Sequence, residues 1–292
     1  MMEFKCPGHN QDHIPEEVLR EAGITFPKAY TDKNNIVALA RVQKKYQDDV
    51  FAKVPFCVTV EAEAFGAYIK MGDAMHRPRP NGHRFSSIEE LSGIQAPDIS
   101  KGRIGEVLDA VGILAESGEK VILNIVGPFT IIYALINHTI FYHGLRKDPE
   151  QIKKIMAVIE KSVIQYGIEG VKRGASIISY EDAVGVPDVI GPTIYQDFSG
   201  SSSLRIINGI KEVGGRFLIH LCGRTSAALE NADMVHSYAI DTDNASTYGQ
   251  ALAGLLDKLT EPIVVGHRCI AWGPMKMDLP CIWGIELTQK FS

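Results

Sequence analysis

Residues 148–180 read DPEQIKKIMAVIEKSVIQYGIEGVKRGASIISY, and this stretch decides the fold. Asp148 before Pro149 starts a helix, with a side-chain acceptor ahead of a proline that suits the first turn. Apolar residues then recur at Ile152, Ile155, Met156, Ile159 and Val163, the spacing of one helical face. Past Arg173 the period changes, and 175–180 is a short apolar run of the kind found in a buried strand. A long amphipathic helix delivering a short buried strand is the unit from which parallel sheets are built.

The unit repeats on both sides. Helices predicted over 105–117 and 204–213 precede strands at 121–126 and 216–221, and 234–240 and 263–265 supply two more strands. Upstream, 14–23 and 32–46 read as helices and 54–60 (VPFCVTV) as a buried strand. Residues 71–84 carry the Pro and Gly density of a loop, and Ser87-Ile-Glu-Glu90 has capping-box spacing. A last strand is read near Cys281–Leu287. No linker, repeat or low-complexity run divides the 292 residues, so residues 1–292 are expected to form one α/β domain of the TIM (β/α)8 barrel type. One or two of the eight strands find no counterpart, so distortion or shortening is expected toward the C-terminus.

Asp and Glu number 35 against 30 Lys and Arg, a net charge of -5, which lacks the basic excess that nucleic acid requires. No run approaches the ~20 apolar residues of a membrane span, and the polar start lacks the apolar core of a signal peptide, so the expected location is the cytoplasm. Five cysteines, an odd number, argue against a disulfide framework and leave metal binding, catalysis or burial as their roles.

In parallel α/β folds the functional groups gather at the carboxyl ends of strands. Four places qualify: Glu61 with Glu63, Gly127-Pro128-Phe129-Thr130, Tyr180-Glu181-Asp182, and His220-Leu221-Cys222-Gly223. His220 and Cys222 lie two apart at the end of an apolar run, so in an extended chain their side chains leave the same face. Gly266-His267-Arg268-Cys269 follows another apolar run and is placed to offer a third donor. One nitrogen and two sulfurs with a vacant position is the ligand set of a catalytic zinc. Glu61 and Glu63, also two apart, both reach the barrel mouth if extended, or cap a following helix. Asp182 either bonds a ligand or holds loop amides, and Gly127 permits either a tight turn or close approach of a ligand. Cys6, His9 and His13 have a ligand-like spacing but sit at a terminus. Cys57 reads as core, and His143 and His236 as structural.

Five collinear stretches, VPFCVTVEAEAFG at 54–66, Gly127 to Thr130, Asp148-Pro149-Glu150, GASIISYED at 174–182 and His220 to Gly223, resemble the uroporphyrinogen decarboxylase superfamily. The resemblance runs from about residue 26 to 229 and is to its methylcobamide:thiol methyltransferase branch, typified by methylcobamide:coenzyme M methyltransferase. It implies a TIM-type barrel with zinc on a His-x-Cys pair and a distant cysteine. His220 and Cys222 carry over directly; the third ligand is Cys269 or Cys281, with Cys269 preferred because it follows an apolar strand and His267 a weaker alternative. The implied reaction moves a methyl group from a methylcobalamin-type corrinoid on a corrinoid protein to a zinc-activated thiol such as coenzyme M. Glu61, Glu63 and Asp182 would serve catalysis, and Gly127, Pro128 and Tyr180 would meet the cofactor. Two other activities stay open: demethylation of a methoxy or methylamine compound onto a corrinoid protein, and uroporphyrinogen decarboxylation. The last is disfavoured because Leu19-Arg20-Glu21-Ala22-Gly23-Ile24 has Ile24 where the decarboxylase pattern expects an arginine.

Overall fold

The helix that opens the 148–180 unit spans Pro149–Lys172 in a computed structural model that describes residues 14–243 and 245–288. Asp148 accepts the Gln151 amide at 3.0 Å, and Ile152, Ile155, Met156, Ile159 and Val163 are all buried along one face. The expected ligand-like residues Cys6, His9 and His13 lie outside the described residues.

Seven strands form the main sheet: β1 (Phe51–Val54), β2 (Lys120–Val126), β3 (Ala175–Glu181), β4 (Leu218–Cys222), β5 (Val235–Asp241), β6 (Ile263–Arg268) and β7 (Cys281–Leu287). Their order is β1-β2-β3-β4-β6-β7-β5. The first five run parallel, while β7 is antiparallel to both β6 and β5. The departure from a regular eight-stranded barrel falls at the C-terminal end, as expected there: β4 pairs directly with β6, and β5 is displaced beyond β7. No pairing joins β1 to β5 among the described residues.

Parallel strands must be covered on both faces. Ala52, Val54, Leu123, Ile125, Ile178, Tyr180, Ile219 and Leu221 pack against α1 (Lys33–Tyr46), α3 (Gly102–Glu116), α6 (Pro149–Lys172) and α7 (Ser201–Lys211). The alternate residues Phe51, Ile122, Ile177, Leu218 and Val265 are covered by Tyr248, Ala251, Leu252 and Leu256 of α8 (Tyr248–Lys258). One helix therefore occupies the face opposite to the outer layer.

The strand expected over 54–60 is corrected. β1 stops at Val54 because Pro55 has no amide proton to give to a neighbouring strand. The chain then turns into α2 (Val60–Ala64), so Glu61 and Glu63 ride on a short helix instead of an extended segment. Two helices that periodicity did not single out, α4 (Pro128–Leu135) and α5 (His138–Lys147), fill the passage from β2 to α6.

Candidate active site

The carboxyl ends of β2, β3, β4 and β6 come level with one another. Register sets Val126 beside Glu181, and Cys222 beside Arg268. Two residues earlier Asn124, Ser179 and His220 form a polar row across three strands.

Glu61, in the first turn of α2, is 2% exposed, and its Oε1 accepts the Val126 amide at 2.8 Å. Burial pushes its carboxyl up to about 7, aided by the negative charge of Glu181 and opposed by the Val126 N–H and the Arg103 guanidinium. Glu63 has a different fate. It is ion-paired with Arg103, which also donates to Thr59 Oγ1 at 2.8 Å and to Cys57 Sγ at 3.1 Å. Arg103 is buried in α3 and clamps the β1 to α2 loop, so Cys57 belongs to that loop and not to a strand core. The two glutamates thus separate into one unpaired buried carboxyl and one structural ion pair.

Asp182, just past β3, is fully buried. It accepts from the Phe129 amide at 3.1 Å, the Thr130 amide at 2.8 Å and the Thr130 hydroxyl at 2.8 Å. Burial pushes its pKa up to about 6 against those hydrogen bonds. These are first-turn donors of α4, so Asp182 holds the helix start, the second of the two roles open to it. Gly127 precedes α4, and Pro128 takes the first helical position, where a missing N–H is harmless. Tyr180 points to the helix-covered face and shares a hydrogen bond of 2.9 Å with Ser203. Gly127, Pro128, Tyr180 and Asp182 accordingly form one joint between β2, β3 and α4. A Cβ at Gly127 would lie 2.4 Å from the Tyr180 hydroxyl and 2.6 Å from Asp182. Gly127→Ala is expected to lower stability by ~3 kcal/mol, read as a reduced urea midpoint; an unchanged midpoint would mean that the joint yields freely.

His220 is fully buried. Its Nδ1 lies 3.2 Å from Ser179 Oγ, its Nε2 has no hydrogen-bond partner among the described residues, and the Tyr248 ring stands edge-on at 6.1 Å. Burial pushes its pKa down to about 3. Burial, with the nearby Glu181 and Cys269, drives the Cys222 thiol up to about 12. Nitrogen and sulfur donors of the right kind therefore exist, but among the described residues no group of three His, Cys, Asp or Glu side chains is placed to hold a metal ion. The charge of Cys269 is nevertheless felt by Cys222 and by Tyr248, whose ring stands against His220, so the three expected donors share one neighbourhood at the strand ends. β6 spends three residue steps, Val265 to Arg268, against two on β4, His220 to Cys222, which leaves Cys269 one position beyond the partner of Cys222. The extra residue His267 takes a left-handed φ of 61° and turns its Nε2 to Ser237 at 2.6 Å and Glu230 at 3.4 Å. Cys281 is two strands from Cys222, on β7. Two residues of the site escaped the sequence reading: Arg103, which looks like any charged helix residue, and Glu181, which sat unremarked inside the Tyr180 to Asp182 motif.

A largely parallel sheet with outer helices and buried ionisable groups collected at its strand ends defines an α/β enzyme fold of the TIM-barrel type. The chain belongs to the uroporphyrinogen decarboxylase (URO-D) family, whose model matches residues 8–270. It is similar to the methylcobamide:CoM methyltransferase MtbA of Methanosarcina acetivorans, at 25% identity over 269 residues, covering 90% of this chain and 78% of that protein. MtbA of Methanosarcina mazei is 29% identical over 230 residues, covering 78% of this chain and 68% of the relative. Methylcobamide:CoM methyltransferase MtaA of Methanosarcina barkeri is 25% identical over 74% of this chain and 63% of its own length. The solved structure of a methyltransferase from Methanosarcina mazei shares the fold, with a TM-score of 0.65 at 19% identity over 93% of this chain and 89% of that one. The family drawn from the five motifs is the family found. Among the described residues no helix is long and apolar enough to cross a membrane.

Proposed function

We propose that this chain is a methyltransferase that moves a methyl group from a methylated corrinoid, carried by a partner protein, to a small thiol such as coenzyme M. The observation that carries the reading is the similarity to methylcobamide:CoM methyltransferases over 90% of the chain. The geometry supports it with a buried, unpaired carboxyl at the strand ends, where a thiol and a corrinoid face would meet.

The thiol must lose its proton before its sulfur can attack. Zinc, which the motif resemblance implies, would be held by His220, Cys222 and Cys269, whose charge Cys222 feels, and would supply Lewis-acid activation of the thiol. Glu61 is the group on this chain suited to accept the proton. With its pKa near 7, transfer from a thiol of pKa about 8.5 is uphill by only ~2 kcal/mol. The thiolate sulfur then bonds to the methyl carbon as the carbon–cobalt bond breaks, and the electron pair stays on cobalt, which goes from Co(III) to Co(I). The products are the thioether, Co(I) corrinoid and protonated Glu61. Glu63 and Asp182 act by position: one anchors the loop that carries Glu61, and the other fixes the start of α4. Reduced cobalt and the four free cysteines among the described residues suit a reducing cytoplasm.

Anaerobic incubation with methylcobalamin and coenzyme M, homocysteine or 2-mercaptoethanol, followed by cobalt absorbance and thioether analysis, tests the reading. Thioether should form together with Co(I). If none of the thiols is methylated, the reading fails; methylation of reduced cobalamin by a methoxy compound or methylamine would show the opposite flow.

A further inference from the structure

The passage from β1 to α3 leaves the sheet at the carboxyl end of β1 and returns at the start of a helix that runs back to β2, so it overhangs the face where the site lies. Within it, residues 69–84 read IKMGDAMHRPRPNGHR, with four Lys or Arg and two His against a single Asp. In a chain of net charge -5 this is a local reversal of sign. The segment is anchored over the site. Ile69–Lys70 pairs with Arg79–Pro80 as a small hairpin, the Phe85 amide donates to the Leu135 carbonyl at the end of α4, and the charge of Arg77 is felt by Glu181 at the end of β3.

Lys70, Arg79 and Arg84 are exposed, and none makes an ion pair among the described residues. Nearby carboxylates are engaged elsewhere: Asp73 with His76 and the Met75 amide, Glu90 with Ser86, and Glu63 with Arg103. Arg84 is also held in place, packed against Gly66 so closely that a Cβ there would run into it, with its guanidinium 5.3 Å from the centre of the Phe85 ring. Within and beside this hairpin Tyr68 and Met75 expose 58% and 56% of their surfaces. Fixed unpaired cations among exposed apolar side chains make up the rim and core of a protein contact, and cations at a rim steer an oppositely charged partner.

We infer that the hairpin face built from Lys70, Arg79 and Arg84 with Tyr68 and Met75 docks an acidic surface of the protein that delivers the corrinoid. The inference rests on the proposed reaction in one respect, that the methyl donor arrives on a partner. An acidic protein surface is favoured over an anionic membrane because the patch borders the strand-end site, which a donor has to reach.

The full-length chain is titrated against fluorescently labelled poly-L-glutamate, a stand-in for an acidic surface, by anisotropy at about 50 mM salt. Binding is expected, and it should weaken about tenfold or more in Lys70→Ala/Arg79→Ala/Arg84→Ala and on raising salt to about 200 mM. The control Lys154→Ala/Lys161→Ala/Lys172→Ala, on the remote helix α6, should bind as wild type does. No binding, equal loss in the control, or capture by phosphatidylglycerol vesicles without peptide binding would each overturn the docking surface. Methyl transfer from free methylcobalamin should be unchanged in the hairpin variant, and an equal loss there would place these cations in the reaction instead of at a docking face. A wild type that methylates no thiol would remove the proposed reaction alone, since peptide binding is read without turnover.

Discussion

Glu61→Gln is expected to slow methyl transfer to a thiol by about a thousandfold while making the folded protein more stable at pH 8. The two effects share a cause. In the native state burial holds the Glu61 pKa near 7, against an ordinary value of 4.5. Between those values the folded chain keeps a proton that the unfolded chain has released, so stability is full below pH 4.5 and declines as pH rises through 7. The loss at pH 8 is ~3 kcal/mol, from about 2.5 pKa units at 1.36 kcal/mol each. Glutamine cannot ionise, and its carbonyl oxygen can still accept the Val126 amide, so the variant escapes that loss. Urea midpoints should agree near pH 4.5 and diverge by pH 8 in favour of the variant. The wild-type rate should climb with pH through about 7, because only the carboxylate accepts a proton, and the residual rate of the variant should lack that rise. A variant with wild-type turnover would remove Glu61 from the reaction, and one destabilised at both pH values would make it a structural acceptor.

How much of this was legible in the sequence follows the physics of each signal. The helix over 149–172 and the strand after it were plain because their periodicity runs for many residues. The 54–60 strand misled because β-branched composition speaks for burial as much as for extension; Pro55 was the mark of its end. His220 and Cys222 stood out as a motif, and their neighbourhood at a strand end was read correctly. The approach of Cys269 could not be read. It depends on one extra residue in β6, at His267, and on the displacement of β5, both of which are long-range pairing choices with no local signature. Arg103 illustrates the same limit, since its partners Cys57, Thr59 and Glu63 are 40 or more positions away. Residues 71–84 read as a loop from their Pro and Gly density, and the place of their cations above the strand ends came only with the fold.

Asp182→Ala should be the most destabilising of the substitutions considered, because it strips the acceptor from three buried donors at once: the Phe129 amide, the Thr130 amide and the Thr130 hydroxyl. Leaving those groups unpaired in a dry joint, with a charge removed from a helix start, is expected to lower stability by ~4 kcal/mol and the melting temperature by roughly 10 °C. Asp182→Asn retains one acceptor oxygen in the same shape and should lose about half as much. Because Asp182 is proposed to act by position, turnover of either variant, measured well below its melting point, should stay within a few-fold of wild type, with KM moving more than kcat. The two readings of this residue part at that comparison. A large fall in kcat with an unmoved melting temperature would make Asp182 a group that touches the reacting partners, and the α4 joint would then have to be held by Gly127, Pro128 and the Tyr180 to Ser203 contact without it.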